Sequence, residues 1–404
     1  SVGHEEVEEI TCARSNSLFR EYEAEPGIFK LAEGPFISYQ RTVDIDMKTS
    51  DCEVTETFSY KISAPFWHYL LHFPMKRALK NSNSSENFNI WWAPPNRFDA
   101  LTSRTVSLLC VAAIVTGFLG ALIGQTATFA AEEFGAGDRA QGILLATVRI
   151  GVLLTVFITA LADNRGRKKL LEFSLYGGCC LAVLSAVAPN LWALGITQSF
   201  ARGFATSISI LIGIMAAEAA PKGSRAYIAG LLTLSAGLGA GIPVWILFLA
   251  DLHLKGWRLL FATAIIFFPA IRWIHLHLEE SKRFLNHIEN HKFNNGRKQK
   301  VIVKRVLFLA SVAFLLFLFV SPASQFRNEF LRDERDFSAA KISLFLLTAY
   351  TPQIIGVAIA SKVSDLKGRK PVAMIAVGIG TILTVGSYSI AGFGMWLITM
   401  FAGI

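Results

Sequence analysis

Asp163-Asn164-Arg165-Gly166-Arg167-Lys168 returns 202 residues later as Asp365-Leu366-Lys367-Gly368-Arg369-Lys370. Each copy follows one apolar run and precedes another. Working outward from the two copies, runs long enough to cross a bilayer as helices lie at roughly 104–131, 139–162, 170–188, 191–219, 224–248, 257–278, 304–324, 340–363 and 371–392, with a tenth starting near 395. Span 1 begins 59 residues before Asp163, and the same step back from Asp365 reaches Val306, where span 7 begins. The whole span pattern is therefore duplicated, as expected of a transporter built from internal repeats.

Composition agrees. The 404 residues are 52% hydrophobic and 17% charged, against about 25% charged in a soluble domain, and the mean hydropathy is +0.44. This excludes a disordered, collagenous or disulfide-scaffold chain. The five cysteines (Cys12, Cys52, Cys110, Cys179, Cys180) have no zinc spacing. Basic residues cluster between spans: Arg165, Arg167, Lys168 and Lys169 after span 2, Lys222 and Arg225 after span 4, eight residues between spans 6 and 7, and Lys362, Lys367, Arg369 and Lys370 after span 8. That side holds 18 and the other 7, namely Arg139, Lys255, Arg258, Arg327, Arg332, Arg335 and Lys341. The positive-inside rule places the first set, and the N-terminus, in the cytoplasm of a multi-pass protein, and a plasma-membrane location is expected. Membrane topology explains the basic pI of about 9.3 better than a nucleic-acid partner does.

Residues 1–100 differ, with 10 Lys/Arg against 15 Asp/Glu. Alternation over Ile37–Met47 and over Val54–Ile62 predicts two strands joined by a turn at Lys48-Thr49-Ser50-Asp51. Residues 66–80 predict an amphipathic helix at the membrane surface, kinked or interrupted at Pro74. Residues 81–90 are a polar linker, and Trp91-Trp92-Ala93-Pro94-Pro95 leads into span 1, where indoles favour the interface.

The repeated hexapeptide resembles the G-x-x-x-D-[RK]-x-G-[RK]-[RK] loop of the major facilitator superfamily. Three further matches follow in order: Glu218-x-x-Pro221-x-x-x-Arg225 after span 4, Gly256-Trp257-Arg258 with Phe261 opening span 6, and Glu280-Ser281-Lys282-Arg283-Phe284-Leu285 after span 6, similar to the sugar-porter P-E-S-P-R-W-L. Thr159 and Ser361 replace the leading glycine of the loops. The resemblance covers about residues 101–404. It implies an all-α polytopic membrane protein with a two-bundle, six-plus-six fold, incomplete at the C-terminus, preceded by a small α+β cytoplasmic region. The expected boundaries are 1–100 for that region, 101–285 for the first bundle, 286–303 for a central loop and 304–404 for part of the second. Counting by the repeat, about 80 residues are expected beyond Ile404, and the chain alone is expected not to transport.

The resemblance also implies a gating role for Asp163, Arg165, Gly166, Arg167, Lys168, Glu218, Arg225, Asp365, Gly368, Arg369 and Lys370, with charge pairs that close one face and break as the bundles rock. The plainer reading is a basic loop that only sets topology. Arg149 and Arg202 fall near the bilayer midplane, about 15 and 17 Å from the outer ends of spans 2 and 4, where charge is costly and marks function. A guanidinium binds a carboxylate or phosphate bidentately, so they are candidates for substrate binding; the alternative is a structural arginine on helix carbonyls. Arg272 is expected to snorkel. Gln125, Trp245, Tyr350 and Gln353 are candidates to line the cavity, with interhelical hydrogen bonding or interfacial anchoring as the alternative.

Proton coupling usually needs a buried carboxylate; Asp163 and Glu218 are candidates, though salt bridges explain them better, and a coupling proton or cation rests on the resemblance alone. His68/His72 and His287/His291 have metal-like spacing without a third ligand, so no metal site is expected. No nucleotide loop or catalytic motif is present, so neither cofactor nor enzyme activity is expected. The leading function is secondary-active or facilitative transport of a small polar solute, with an anionic one in view, by alternating access. A drug or metabolite exporter, a transporter-like sensor and a membrane enzyme with a lipid-binding N-terminal domain are the alternatives.

Overall fold

Residues 20–62 form a four-stranded antiparallel meander rather than the expected two-stranded hairpin: β1 (Arg20–Glu25), β2 (Ile28–Glu33), β3 (Phe36–Met47) and β4 (Cys52–Ile62), in the order β1-β2-β3-β4. This is a computed structural model, and it describes residues 10–47, 52–80, 90, 92–251, 253–280, 303–325, 327, 330–337 and 339–403. The turn expected at 48–51, most of the linker and the central loop lie outside the described residues. β3 and β4 are the two predicted strands, paired with Tyr39 opposite Tyr60. β1 escaped prediction because its inward position is Glu21, a carboxylate where alternation looks for an apolar residue.

That carboxylate is paid for by Arg41, which is fully buried. Arg41 Nη2 meets Glu21 Oε2 at 2.7 Å and Nη1 meets Glu56 Oε1 at 2.9 Å. The same guanidinium donates to the Ile10 and Cys12 carbonyls, both at 2.8 Å, and lies 4.1 Å from the Phe29 ring centroid. Arg14 adds an ion pair to Glu56 at 2.7 Å. A buried pair is stable only when its remaining donors are satisfied, and here they tie residues 10–14 to the sheet. Helix α1 (His68–Lys80) packs Met75, Ala78 and Leu79 into a core with Phe19, Phe36, Tyr39 and Ile62. It runs unbroken through Pro74; the Leu70 carbonyl, which loses a partner to the ring, belongs to an exposed residue.

The spanning helices follow the apolar runs closely. In the first unit they are α2 (Ala100–Glu133), α3 (Asp138–Ile150) and α4 (Leu153–Arg165), α5 (Arg167–Ser185), α6 (Leu191–Ala219), α7 (Arg225–Trp245), and α8 (Trp257–Ala262), which continues through a 3-10 turn into α9 (Phe267–His277). Asp99 and Asn190 cap α2 and α6 by accepting the N–H of Thr102 and Ala193. α2 is the central post, with Leu108, Leu109, Phe118 and Leu122 fully buried. α7 lies directly on it: a Cβ at Gly239 would stand 1.9 Å from the Ile114 carbonyl, the close approach that small residues allow in lipid. The segments that follow the N-terminal sheet are fastened to this bundle. Trp67 Nε1 donates to the Ser107 carbonyl at 3.2 Å, Ser107 Oγ to the Pro65 carbonyl at 2.6 Å, and the Tyr227 hydroxyl to the Trp92 carbonyl at 2.7 Å.

The chain divides into two compact units, Ser1–Leu285 and Asn286–Ile404. The second holds α10 (Val303–Gln325), α11 (Ala339–Tyr350), α12 (Gln353–Lys367), α13 (Arg369–Ser389) and α14 (Phe393–Gly403), with a small core of Leu331, Phe345, Ala349 and Met395. Among the described residues, seven helical segments are long and apolar enough to cross a membrane.

Candidate functional site

The two hexapeptides adopt one backbone. α4 ends and α5 begins at Gly166, φ 101°; α12 ends and α13 begins at Gly368, φ 96°. Only glycine takes this conformation at little cost, and it turns the chain within one residue. In the first copy the turn delivers Arg167 to Glu218 at the end of α6, where their side chains form an ion pair. The start of α5 is closed by a residue from far along the chain: the Glu280 carboxylate accepts the N–H of Arg167 at 3.2 Å and of Lys168 at 3.1 and 3.2 Å. An anion belongs there because the first N–H groups of a helix lack internal partners. Lys168 and His275 flank Glu172 at 3.7 and 2.8 Å. Loop 2–3, the end of span 4 and the tail of span 6 are thus joined by charge.

Arg167, Lys168 and Glu218 sit in this cluster. Arg165 and Arg225 are exposed and make no ion pair among the described residues. The Asp163 side chain lies outside the described residues. In the second copy Asp365 and Arg369 are 3.8 Å apart, one turn along the chain, and Lys370 is exposed.

The midspan arginines lie by a tight turn in the middle of span 2. Between α3 and α4, Gly151 and Val152 keep helical φ/ψ, and the N–H groups of Gly151, Val152, Leu154 and Thr155 reach carbonyls three residues back. Here Gly151 lies against span 4, where an added Cβ would stand 1.8 Å from the Ser199 carbonyl; one at Gly203 would stand 2.5 Å from the Gly151 carbonyl. Thr155 Oγ1 donates to the Gly203 carbonyl at 3.1 Å. Arg149 is two residues before Gly151, and Arg202 is beside Gly203. Arg202 is half-buried and spends one N–H on the Gly120 carbonyl of α2 at 3.0 Å. Neither Arg149 nor Arg202 makes an ion pair among the described residues. Span 8 has a similar turn two residues earlier in the repeat, where Thr351 and Pro352 link α11, ending at Tyr350, to α12, starting at Gln353, with Pro352 at helical φ/ψ. Arg149, Tyr350 and Gln353 stand beside these turns, and the Tyr350 side chain is outside the described residues. Gln125 is half-buried on α2, five residues beyond Gly120. Trp245 ends α7 and is 59% exposed, in keeping with interfacial anchoring. Arg272 is exposed on α9.

The sequence profile of the Major Facilitator Superfamily matches residues 109–404. The chain belongs to the major facilitator superfamily. Its fold is similar to that of the proton:xylose symporter XylE bound to 6-bromo-6-deoxy-D-glucose (TM-score 0.58, 17% identity, 75% of this chain and 78% of that one). It is also similar to the human organic anion transporter MFSD10 (0.57, 13%, 75% and 83%) and to a bacterial homologue of the iron transporter ferroportin (0.51, 16%, 74% and 80%). At these identities the likeness concerns the fold. No curated protein matches the chain by sequence.

Two sites in this major facilitator chain were not foreseen. At the far end of the first bundle Glu133 closes α2 onto α8: Trp257 Nε1 donates to Oε2 at 2.7 Å, and Arg258 grips both oxygens from Nε and Nη2 at 3.0 and 2.9 Å. Arg258 Nη1 also reaches the Ala186 carbonyl at 3.0 Å. In the second unit Arg327, counted from sequence among the basic residues on the side away from the cytoplasm, is 5% exposed. It donates to Ser387 at 3.0 Å and Thr399 at 3.3 Å, and its guanidinium lies 4.4 Å from the Tyr388 ring centroid. Ser387 and Thr399 stand 202 residues after Ser185 and Thr197, whose hydroxyls bond at 2.8 Å with Gln198 Nε2 donating to Ser185, also at 2.8 Å. The repeat was the available signal, because Arg327 occupies the position of Gln125.

Proposed function

We propose that this membrane transporter carries a small organic anion by alternating access, with Arg202 and Arg149 receiving a carboxylate or phosphate. The supporting observation is the pair of cations near the midpoints of spans 2 and 4, neither of which makes an ion pair among the described residues. Charge at membrane depth is costly and marks binding sites and pathways. Among the described residues Arg202 spends one of its five N–H groups, on the Gly120 carbonyl. The cluster of Arg167, Glu218 and Glu280 then serves as a latch at one end, on the cytoplasmic side by the distribution of basic loops, with the plasma membrane as the setting. Glu218 serves in its ion pair with Arg167, so it need not carry a coupling proton, and uptake that ignores pH and sodium gradients would mark a facilitated carrier. The protein acts as a carrier and not as a catalyst.

The test is a thermal-shift screen of the purified chain against small carboxylates, phosphate esters and neutral sugars. A ligand bound only by the folded state raises the midpoint. Anions should stabilise the chain, and Arg202→Ala should abolish that response while leaving the unliganded midpoint nearly unchanged. Unchanged affinity of Arg202→Ala for every anion that binds, or binding of neutral sugars alone, would overturn the proposal. A sensor is the second reading, favoured by the hydrogen bonds that fasten the segments after the N-terminal sheet to α2 and α7; binding without movement of solute in proteoliposomes would select it.

A further inference from the structure

Helix α1 has two opposed faces. Met75, Ala78 and Leu79 are buried against the sheet. On the other side Phe66, just before the helix, with Tyr69, Leu70 and Phe73, falls at helical spacing, and these residues are 46, 83, 71 and 73% exposed. Lys76, Arg77 and Lys80 continue the same stripe and are exposed. The stripe is therefore apolar in its first half and cationic in its second.

The apolar half starts beside the first turns of the apolar run of α2. Trp67 is bonded to Ser107, seven residues into α2 and about 10 Å along its axis. The Phe66 ring meets Trp273 of α9 edge-on, centroids 5.8 Å apart. Under one flank of α1 lies a cavity of about 310 Å³ whose walls include Trp67, Leu71, Trp92, Cys110, Leu234 and Leu238. Its lining is almost wholly apolar, so water gains little by entering, and α1, α2 and α7 all contribute to it.

We infer that α1 and this cavity form a site for an anionic phospholipid of the adjoining leaflet. The apolar stripe lies among the upper acyl chains, as the face of an interfacial helix does. Lys76, Arg77 and Lys80 meet the headgroup phosphate, since polybasic segments beside a span are drawn to acidic lipid. One acyl chain enters the cavity between α1, α2 and α7. Leu70 belongs to both the exposed stripe and the cavity wall, so the two parts of the site are continuous. The N-terminal sheet would then sense lipid composition directly.

The test places the purified full chain in nanodiscs of phosphatidylcholine alone or of an equimolar mixture with phosphatidylglycerol. Amide exchange of residues 68–80 should slow several-fold in the mixed bilayer, and the difference should vanish in Lys76→Glu/Arg77→Glu/Lys80→Glu while peptides from α2 are unchanged. Phosphatidylglycerol brominated on its acyl chains should quench tryptophan emission more in the wild type than in Trp92→Phe, a readout that stands even if the charge-reversed variant fails to fold. Equal exchange in the two bilayers, or a preference that survives charge reversal, overturns the headgroup contact. Equal quenching in Trp92→Phe overturns the acyl-chain site. Protection of α1 that rises with protein concentration in detergent alone would mark contact with a second copy and also overturn the proposal.

Discussion

The Glu280 carboxylate sits on the backbone N–H of Lys168, at 3.1 Å from Oε2 and 3.2 Å from Oε1, across 112 residues of chain. The segment after span 6 thereby closes the first turn of α5. Glu280→Ala should lower stability by about 1 kcal/mol, the worth of an anion at a helix N-terminus, and Glu280→Gln should recover part of it. Melting of the three proteins in one detergent reads this; equal midpoints would show that the contact contributes nothing.

The Arg167–Glu218 pair is little exposed, at 17 and 9% of side-chain area. Removing either partner takes this ion pair from the end of the bundle. Arg167→Ala and Glu218→Ala should each cost about 2 kcal/mol, the scale of a charged hydrogen bond, and their double mutant should cost less than the sum. A double-mutant cycle on chemical denaturation measures the coupling, and additivity would exclude it.

Gly151→Ala tests the crossing of spans 2 and 4. Its Cβ would stand 1.8 Å from the Ser199 carbonyl, so the helices must separate, at a cost of about 2 kcal/mol for overpacking. Anion binding should weaken more in this variant than in Gly213→Ala, where an added Cβ meets nothing within 4 Å.

The Tyr39 phenol is held well above its ordinary value near 10, by burial first and then by the adjacent Glu21 carboxylate. The folded sheet keeps a proton that the unfolded chain sheds above pH 10, so this contribution is complete below pH 10 and declines as pH rises beyond it. Proteolysis within residues 20–62 should accelerate above that pH, and Tyr39→Phe should flatten the profile. An acceleration on the acidic side alone would contradict the assignment.

What sequence conveyed here depended on whether the signal was local. The apolar run at 191–219 became α6 at Leu191–Ala219, because twenty-odd apolar residues admit no other conformation in lipid. The glycine of each hexapeptide announced its turn for the same reason. β1 was hidden because Glu21 inverts its alternation, and its partner Arg41 lies two strands away. The tight turn at Gly151-Val152 was hidden because its backbone stays helical; what sets it apart is how closely span 4 approaches Gly151. Of the candidate site, Arg149 and Arg202 could be found by charge alone, whereas the Glu280 cap and the burial of Arg327 depend on contacts that only folding creates.

The Ser185–Thr197 bond and the Arg327 bridge between Ser387 and Thr399 fasten equivalent helix pairs by different means. The first is a neutral clasp of two hydroxyls. The second hangs on one guanidinium, so a single side chain carries the whole joint.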